Sequence, residues 1–414
     1  MQTSKAALSI LSLLLAESVS GQTPVEIQKL SDPTGLRQGY STSLAINATE
    51  NLLLVGAPAS QLGGDVYAYT KGAAGSFMES QDLVASDASG CSLFGISVAI
   101  SGTTAVVGAQ DWPGGCGIGG QGKAYVFSYS NGVWTETANL TGLGDGSAAL
   151  FGAAVAIDGT TIVVGAPSFG SGEGKVHVFE LQGGTAWVET QTLAAGISTP
   201  SDTFGQSVAI SGDNLIIGMS HSSSSGPGAI DLYARAGHVW TRTTSFFGNG
   251  SDDFGRSVSI LGNTAAIGIP AATVNGHAQQ GAVEILRYTG GAWVNSQTAS
   301  ASSGAAGDRL GHAVVLAQGG SSYNAVLLAG APDATIGGVV NEGAAYVFFD
   351  TGTVFSSGPR LLSGEVNPAG TFFGGAVGAA VGFSTQMPIT PTYFVGATGA
   401  PGGPGGRGIV DVFH

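Results

Sequence analysis

Six histidines, at positions 177, 221, 238, 277, 312 and 414, are the side chains of this 414-residue chain best suited to proton transfer or metal binding near neutral pH. They are scattered. No two stand at the H-x-x-x-H spacing that puts a pair of imidazoles on one helical face, and no G-x-S-x-G elbow, phosphate loop or dinucleotide fingerprint occurs. No residue is therefore assigned to catalysis from local sequence. Acid–base chemistry would need residues brought together by the fold, and His221, His277 and Asp333 are the set that a ring of repeats could gather on one face. Two other chemistries are written locally. Cys91 and Cys116 are the only cysteines, which in an exported chain points to a disulfide, with free buried thiols as the alternative. Asn47, Asn139 and Asn249 each open an N-x-S/T triplet, the acceptor for N-glycans in a eukaryotic secretory route.

The elements that must position these residues are repeats. An aromatic–glycine pair recurs as Phe94-Gly95, Phe151-Gly152, Phe204-Gly205, Phe254-Gly255 and Phe373-Gly374, with weaker versions at Tyr40-Ser41 and Leu310-Gly311. The seven copies are spaced by roughly 50 to 63 residues, the length of a supersecondary unit. Within the third copy the order is "FGAAVAI", a turn at "DGTT", "IVVGAP", a loop "SFGSGEG", "KVHVFEL", a turn at "GG", then "WVETQTL". Each run is short, rich in Val, Ile, Thr and aromatics, and bounded by turn residues, so each copy holds four antiparallel strands.

Seven such units could stack as a solenoid or close as a ring of blades. The chain ends favour the ring. The last copy stops after a third strand, "GIVDVFH", while "VEIQKLSD" near the start resembles the fourth strands "MESQDL", "TETANL" and "VETQTL". The expectation is all-β: a seven-bladed β-propeller of four-stranded antiparallel blades over residues 22–414, closed by the N-terminal strand completing the last blade, with repeats starting near 40, 94, 151, 204, 254, 310 and 373. Phe would fill the wedge between blades, glycine would admit close backbone approach, and the proline of "VGAP" would end its strand.

Residues 1–21 read as a signal peptide: Lys5, an apolar run from Ala6 to Ala16, then small residues up to Gly21. The run is shorter than the ~20 residues that cross a bilayer, and no later segment reads as a span once the signal is removed. Export places the mature chain as secreted, periplasmic or at a cell surface. With 27 acidic against 13 basic residues, the net charge of −14 disfavours nucleic acid and anionic membranes as partners. The 43% hydrophobic content supports a packed core despite 70 glycines.

"FG", then "SVAI", then "VGAP", repeated in phase over nearly the whole mature chain, resembles the FG-GAP repeats of the integrin α-subunit head and its bacterial relatives. No WD dipeptide occurs, and the kelch pattern is not the one that recurs. The resemblance implies an extracellular, monomeric propeller used in adhesion or ligand recognition. It also implies calcium loops in the first hairpins, and here the sequence departs from it: "ISGTTA", "IDGTTI", "ISGDNL" and "ILGNTA" hold at most one carboxylate each, too few for a cation wanting six to eight oxygens. No metal or cofactor is expected. Asp145, Asp202, Asp252, Asp253 and Asp308 precede the aromatic–glycine pairs and are expected to cap loop amides.

In a four-stranded blade the second-to-third-strand loop and the crossing to the next blade open on one face. That face gathers the long segments "ASQLGG", "QDWPGGCGIGGQ", "SFGSGE", "SHSSSSGPG", "AATVNGHAQQ" and "DATIGGVVNE". It is the expected binding face, with Asp111, Trp112, Phe169, His221, His277 and Asp333 as candidate contacts and the aromatics suited to stacking on sugars or inserting into a partner. The reading is a non-catalytic binding or adhesion module for an extracellular protein or carbohydrate. A polysaccharide hydrolase or lyase and a structural envelope or matrix component are the alternatives.

Overall fold

The structure, a computed structural model, describes residues 24–31, 39–47, 49, 51–59, 63–73, 75–113, 120–146, 148–196, 203–220, 227–319, 323–363, 372–381, 391–397 and 409–414. Residues 1–21, read from sequence as a signal peptide, together with Cys116, Asp202 and His221, lie outside the described residues.

Seven four-stranded antiparallel sheets are present among the described residues, and six of them use four consecutive strands. Blade 2, for example, comprises Phe94–Ser101, Thr104–Ala109, Lys123–Ser130 and Val133–Leu140. Blade 7 comprises Phe373–Val381, Pro391–Ala397 and Ile409–Phe413, with Glu26–Ser31 as its outer strand. That outer strand runs in register Glu26↔Phe413, Gln28↔Val412 and Leu30↔Val410, and the Val25 and His414 backbones exchange two hydrogen bonds of 3.1 Å. The ring is closed as the sequence predicts.

Strand position within a blade explains its sequence pattern. Second strands such as Leu52–Ala57, Thr161–Ala166 and Thr264–Ile269 are buried at every residue, because neighbouring blades cover both faces. They are therefore continuous apolar runs. The outer strand Ala186–Leu193 alternates between exposed and covered residues, as a half-solvated strand must. Each core cluster spans two blades. Phe151 sits with Val106 and Val126 of blade 2 and with Ile162 and Val164 of blade 3, which makes it the wedge between them. Tyr40, Phe94, Phe204, Phe254, Leu310 and Phe373 are buried equally deeply. Burying each such side chain contributes about 1.5–3 kcal/mol.

Three backbone-level devices fasten adjacent blades. Gly108 of the second strand lies so close to the next blade that a Cβ there would sit 1.9 Å from Gly152 O, and Gly152 itself has φ +90°. Serines of the innermost strands reach across the same seam: Ser43, Ser97, Ser207 and Ser257 each donate at 2.8 Å to the glycine carbonyl of the next aromatic–glycine pair. At the rim, glutamines of the outer strands clasp the neighbouring outer strand. Gln28 bonds the Phe77 backbone N–H and C=O at 2.7 and 2.6 Å, and Gln81 with Trp134, Gln191 with Trp240 and Gln297 with Phe355 repeat the pattern. Each such bond contributes on the order of 1 kcal/mol. Gln28 carries the clasp across the point of closure.

The two faces of the ring differ. Tight turns at Gly102, Gly159, Gly212 and Gly262 occupy one face. On the other, parallel bridges Gly122↔Phe151, Gly174↔Phe204, Gly281↔Leu310 and Gly343↔Phe373 set each long loop beside the start of the next blade.

Candidate functional site

The residue that follows each aromatic–glycine pair stands at the loop-face end of an innermost strand, next to the ring axis. It is Thr42, Ile96, Ala153 and Gly375 in blades 1, 2, 3 and 7, and Gln206, Arg256 and His312 in blades 4, 5 and 6. Three consecutive blades thus place long polar side chains where the others place small or apolar ones.

These side chains anchor a connected cluster. The Gln206 amide oxygen accepts from Arg256 Nη1 at 3.1 Å, while its nitrogen faces Thr203 Oγ1 and Ser220. Ser220, almost fully buried, is also hydrogen-bonded to Asp253. In the crossing from blade 5 to blade 6, Arg309 Nε lies 3.3 Å from Asp333 Oδ2. Burial weakens the acidity of Asp253, and Arg256 and Arg309 act against that shift. Burial likewise raises Asp333, opposed by Arg309.

His312 is pushed down to about 4, first by burial and then by the charge of Arg256, and its ring is hydrogen-bonded to the Gly375 backbone. It is neutral at neutral pH. Its Nδ1 is buried with no hydrogen-bond partner among the described residues. A polar atom left this way costs about 1–3 kcal/mol, so the cluster carries a hydrogen-bonding need that its own side chains do not meet. Chemically the group offers guanidinium donors and carboxylate acceptors side by side on a rigid frame.

The described residues among those expected from sequence lie on this same face but do not all converge. Asp333 joins the cluster through Arg309. His277 is exposed on its loop, with Nδ1 3.1 Å from Gly304 O. Asp111 is half-buried, and burial raises its carboxyl against a hydrogen bond from the Gly120 backbone. The aromatics are less open than the sequence implies. Trp112 and Phe169 are half-buried, and each has a lysine, Lys123 or Lys175, with Nζ 3.5 Å from the ring centroid. Cation–π contact and packing against the blade thus occupy one face of each ring. Asp252 and Asp308 bond loop amides, those of Asn249 and Ala305, at 2.7 Å each. Among the acceptor asparagines, Asn139 and Asn249 are exposed, whereas Asn47 Nδ2 donates to Gly102 O at 2.7 Å.

Asp145 has a different role from loop capping. Its Oδ2 lies 2.9 Å from His177 Nε2, and its Oδ1 lies 3.5 Å from Lys175 Nζ. His177 Nδ1 is 2.8 Å from Glu189 Oε1. The imidazole is fully buried, with both nitrogens facing carboxylates and its ring against Phe151 at 5.2 Å. No face of it is open to a substrate, and the group ties the crossing from blade 2 to the body of blade 3. Among the described residues no cluster of His, Cys, Asp and Glu could hold a metal ion. No helix there is long and apolar enough to cross a membrane.

Arg256, Arg309 and His312 lie outside the long loop segments that supply the sequence candidates. For Gln206, Arg256 and His312 the signal is the position directly after the aromatic–glycine pair, whereas Arg309 stands just before Leu310 and carries no such mark.

Comparison with known proteins bears on this geometry at two levels. A family model for the FG-GAP repeat matches residues 77–127, 134–179 and 187–233. No curated protein matches the sequence. Among solved structures, the chain is similar to a candidate 6-phosphogluconolactonase from Bacteroides fragilis, at 13% identity and a TM-score of 0.53 over 85% of this chain and 90% of that one. A second candidate 6-phosphogluconolactonase, from Bacteroides uniformis, gives 11% identity and a TM-score of 0.52 over 82% and 85% of the two chains. Sqt1 of Saccharomyces cerevisiae gives 10% identity and a TM-score of 0.51 over 95% and 99%. At such identities the likeness shows the propeller fold and carries no activity with it.

Proposed function

Because the chain is an FG-GAP repeat β-propeller, we propose that it is an exported, non-catalytic binding module whose loop face takes an extracellular protein or glycan. The observation that carries this reading is the asymmetry of the ring. One face is made of tight turns, while the other combines the long loops with the polar cluster of Gln206, Arg256, Arg309, His312 and Asp333. Irregular loops on a rigid scaffold are where recognition is usually built. Asp111, Trp112, Phe169 and His277 belong to the periphery of that face in this reading, and His221 is kept as a proposed contact. Cys91 and Cys116 form a disulfide pinning the loop that carries Asp111 and Trp112, and no described cysteine is free.

The test is retention of the mature chain from Gln22 on a panel of immobilised polysaccharides and extracellular proteins, with the supernatant assayed for released product. Retention without product is expected. Failure to bind any member, or release of product, would overturn the reading. Peptide mapping of the secreted protein checks the rest: cleavage near Gly21, and peptides of Cys91 and Cys116 that separate only on reduction.

A further inference from the structure

The axial cluster is selective in charge. Its two guanidiniums, Arg256 and Arg309, face two carboxylates, Asp253 and Asp333, within the same group. The adjoining carboxylates Asp252 and Asp308 are turned into their own loop amides. His312 adds no positive charge at neutral pH. The cluster therefore has no excess positive charge with which to hold an anion, and it sits in a chain of net charge −14. A phosphate, sulfate or uronate would find each guanidinium already faced by a carboxylate, on a chain of net negative charge.

What the cluster does have is an alternation of donors and acceptors. Arg256 and Arg309 donate, Asp253 and Asp333 accept, and His312 Nδ1 has no partner among the described residues. A sugar hydroxyl is one donor and two acceptors at a single atom, so a run of neighbouring hydroxyls matches a surface on which both kinds alternate. A protein partner would call instead for an aromatic or apolar anchor pocket. Trp112 and Phe169, on the loops of blades 2 and 3, are each engaged by a lysine.

We infer that the axial cluster on the loop face binds a neutral carbohydrate, with Arg256 and Arg309 donating to sugar oxygens and Asp253 and Asp333 accepting from sugar hydroxyls. This rests on the binding-module reading above and names the ligand class and the residues within it.

The experiment compares binding of the mature chain to a neutral β-glucan, to polygalacturonate and to immobilised extracellular matrix protein, for the wild type and for Arg256→Gln and Arg309→Gln. Arg309 is half exposed, so its replacement tests binding without threatening the core. Thermal unfolding of each variant confirms that it is folded. The expected result is binding to the neutral glycan, competed by its soluble oligosaccharide, and weakened about tenfold or more by either variant, as loss of a charge-assisted hydrogen bond predicts. Preference for polygalacturonate or for protein overturns the inference. So does neutral-glycan binding that both folded variants retain in full, which would leave the binding-module reading standing. If the wild type binds none of the three probes, both readings fail together.

Discussion

Deleting residues 25–31 lowers the unfolding temperature by roughly 5–10 °C in calorimetry, because the loss of several kcal/mol is spread over a large cooperative unit. The strand they form is the outer edge of blade 7 and the fastening of blade 7 to blade 1. Deletion removes the burial of Leu30, worth about 1.5–3 kcal/mol. It also removes the Gln28 clasp on Phe77 and the contact between Lys29 Nζ and Asp411 Oδ1 at 3.1 Å. Asp411 then loses its cation partner. Burial already raises that carboxyl to about 6, with Lys29 opposing the shift. A free strand edge is exposed on Ile409–Phe413 as well, which adds a tendency to associate. An unchanged transition would show that the ring does not depend on this closure.

Replacing Gly108 by Ala destabilises the chain by about 3 kcal/mol or more, the cost of forcing a core contact apart. The added methyl would meet Gly152 O at 1.9 Å, and that oxygen also accepts the Ser97 hydroxyl, so neither partner can give way without opening the seam between blades 2 and 3. Gly102→Ala is the matched control. Its Cβ meets nothing within 4 Å, although φ is +55°. The backbone strain alone should cost about 1–2 kcal/mol. Denaturant titration of the two variants separates the effects. Equal losses would mean that the Gly108 position tolerates a side chain and that the seam is looser than its geometry indicates.

Much of the architecture is legible in the sequence because the repeat encodes it redundantly. Phe151 and its equivalents are the same residue type at the same phase, and one physical need, filling the wedge between blades, accounts for them. The closure was legible because "VEIQKL" carries the Gln and Leu of the other outer strands, and the structure gives both residues their expected work: Leu30 in the core and Gln28 on Phe77. The serines at Ser43, Ser97, Ser207 and Ser257 were visible in "SVAI", but their partner was not. A hydrogen bond to a carbonyl some fifty residues on depends on how blades pack and leaves no local mark.

Weaker copies show the limits of the pattern differently. Ser41 stands where glycine recurs, takes φ +69° and is fully buried beside Gly396 of blade 7. The candidate site is harder to read because it is built from a few residues in each of blades 4, 5 and 6. Arg256 and His312 are unremarkable alone and form a group only when the ring sets blades 5 and 6 side by side. Trp112 and Phe169 were visible as aromatics on loops, but the lysines that cover them come from the following strand, at Lys123 and Lys175. Their pairing is a product of the loop's return, which composition does not report.

The claim that the loop face is the working face is tested most directly by hydrogen exchange of the chain from Gln22 with and without a retained ligand. The account predicts slowed exchange at residues 203–206, 253–256, 309–312 and 331–334, with the turns at Gly102, Gly159, Gly212 and Gly262 unchanged. Protection confined to those turns, or to the outer strands, would place recognition elsewhere on the ring and contradict it.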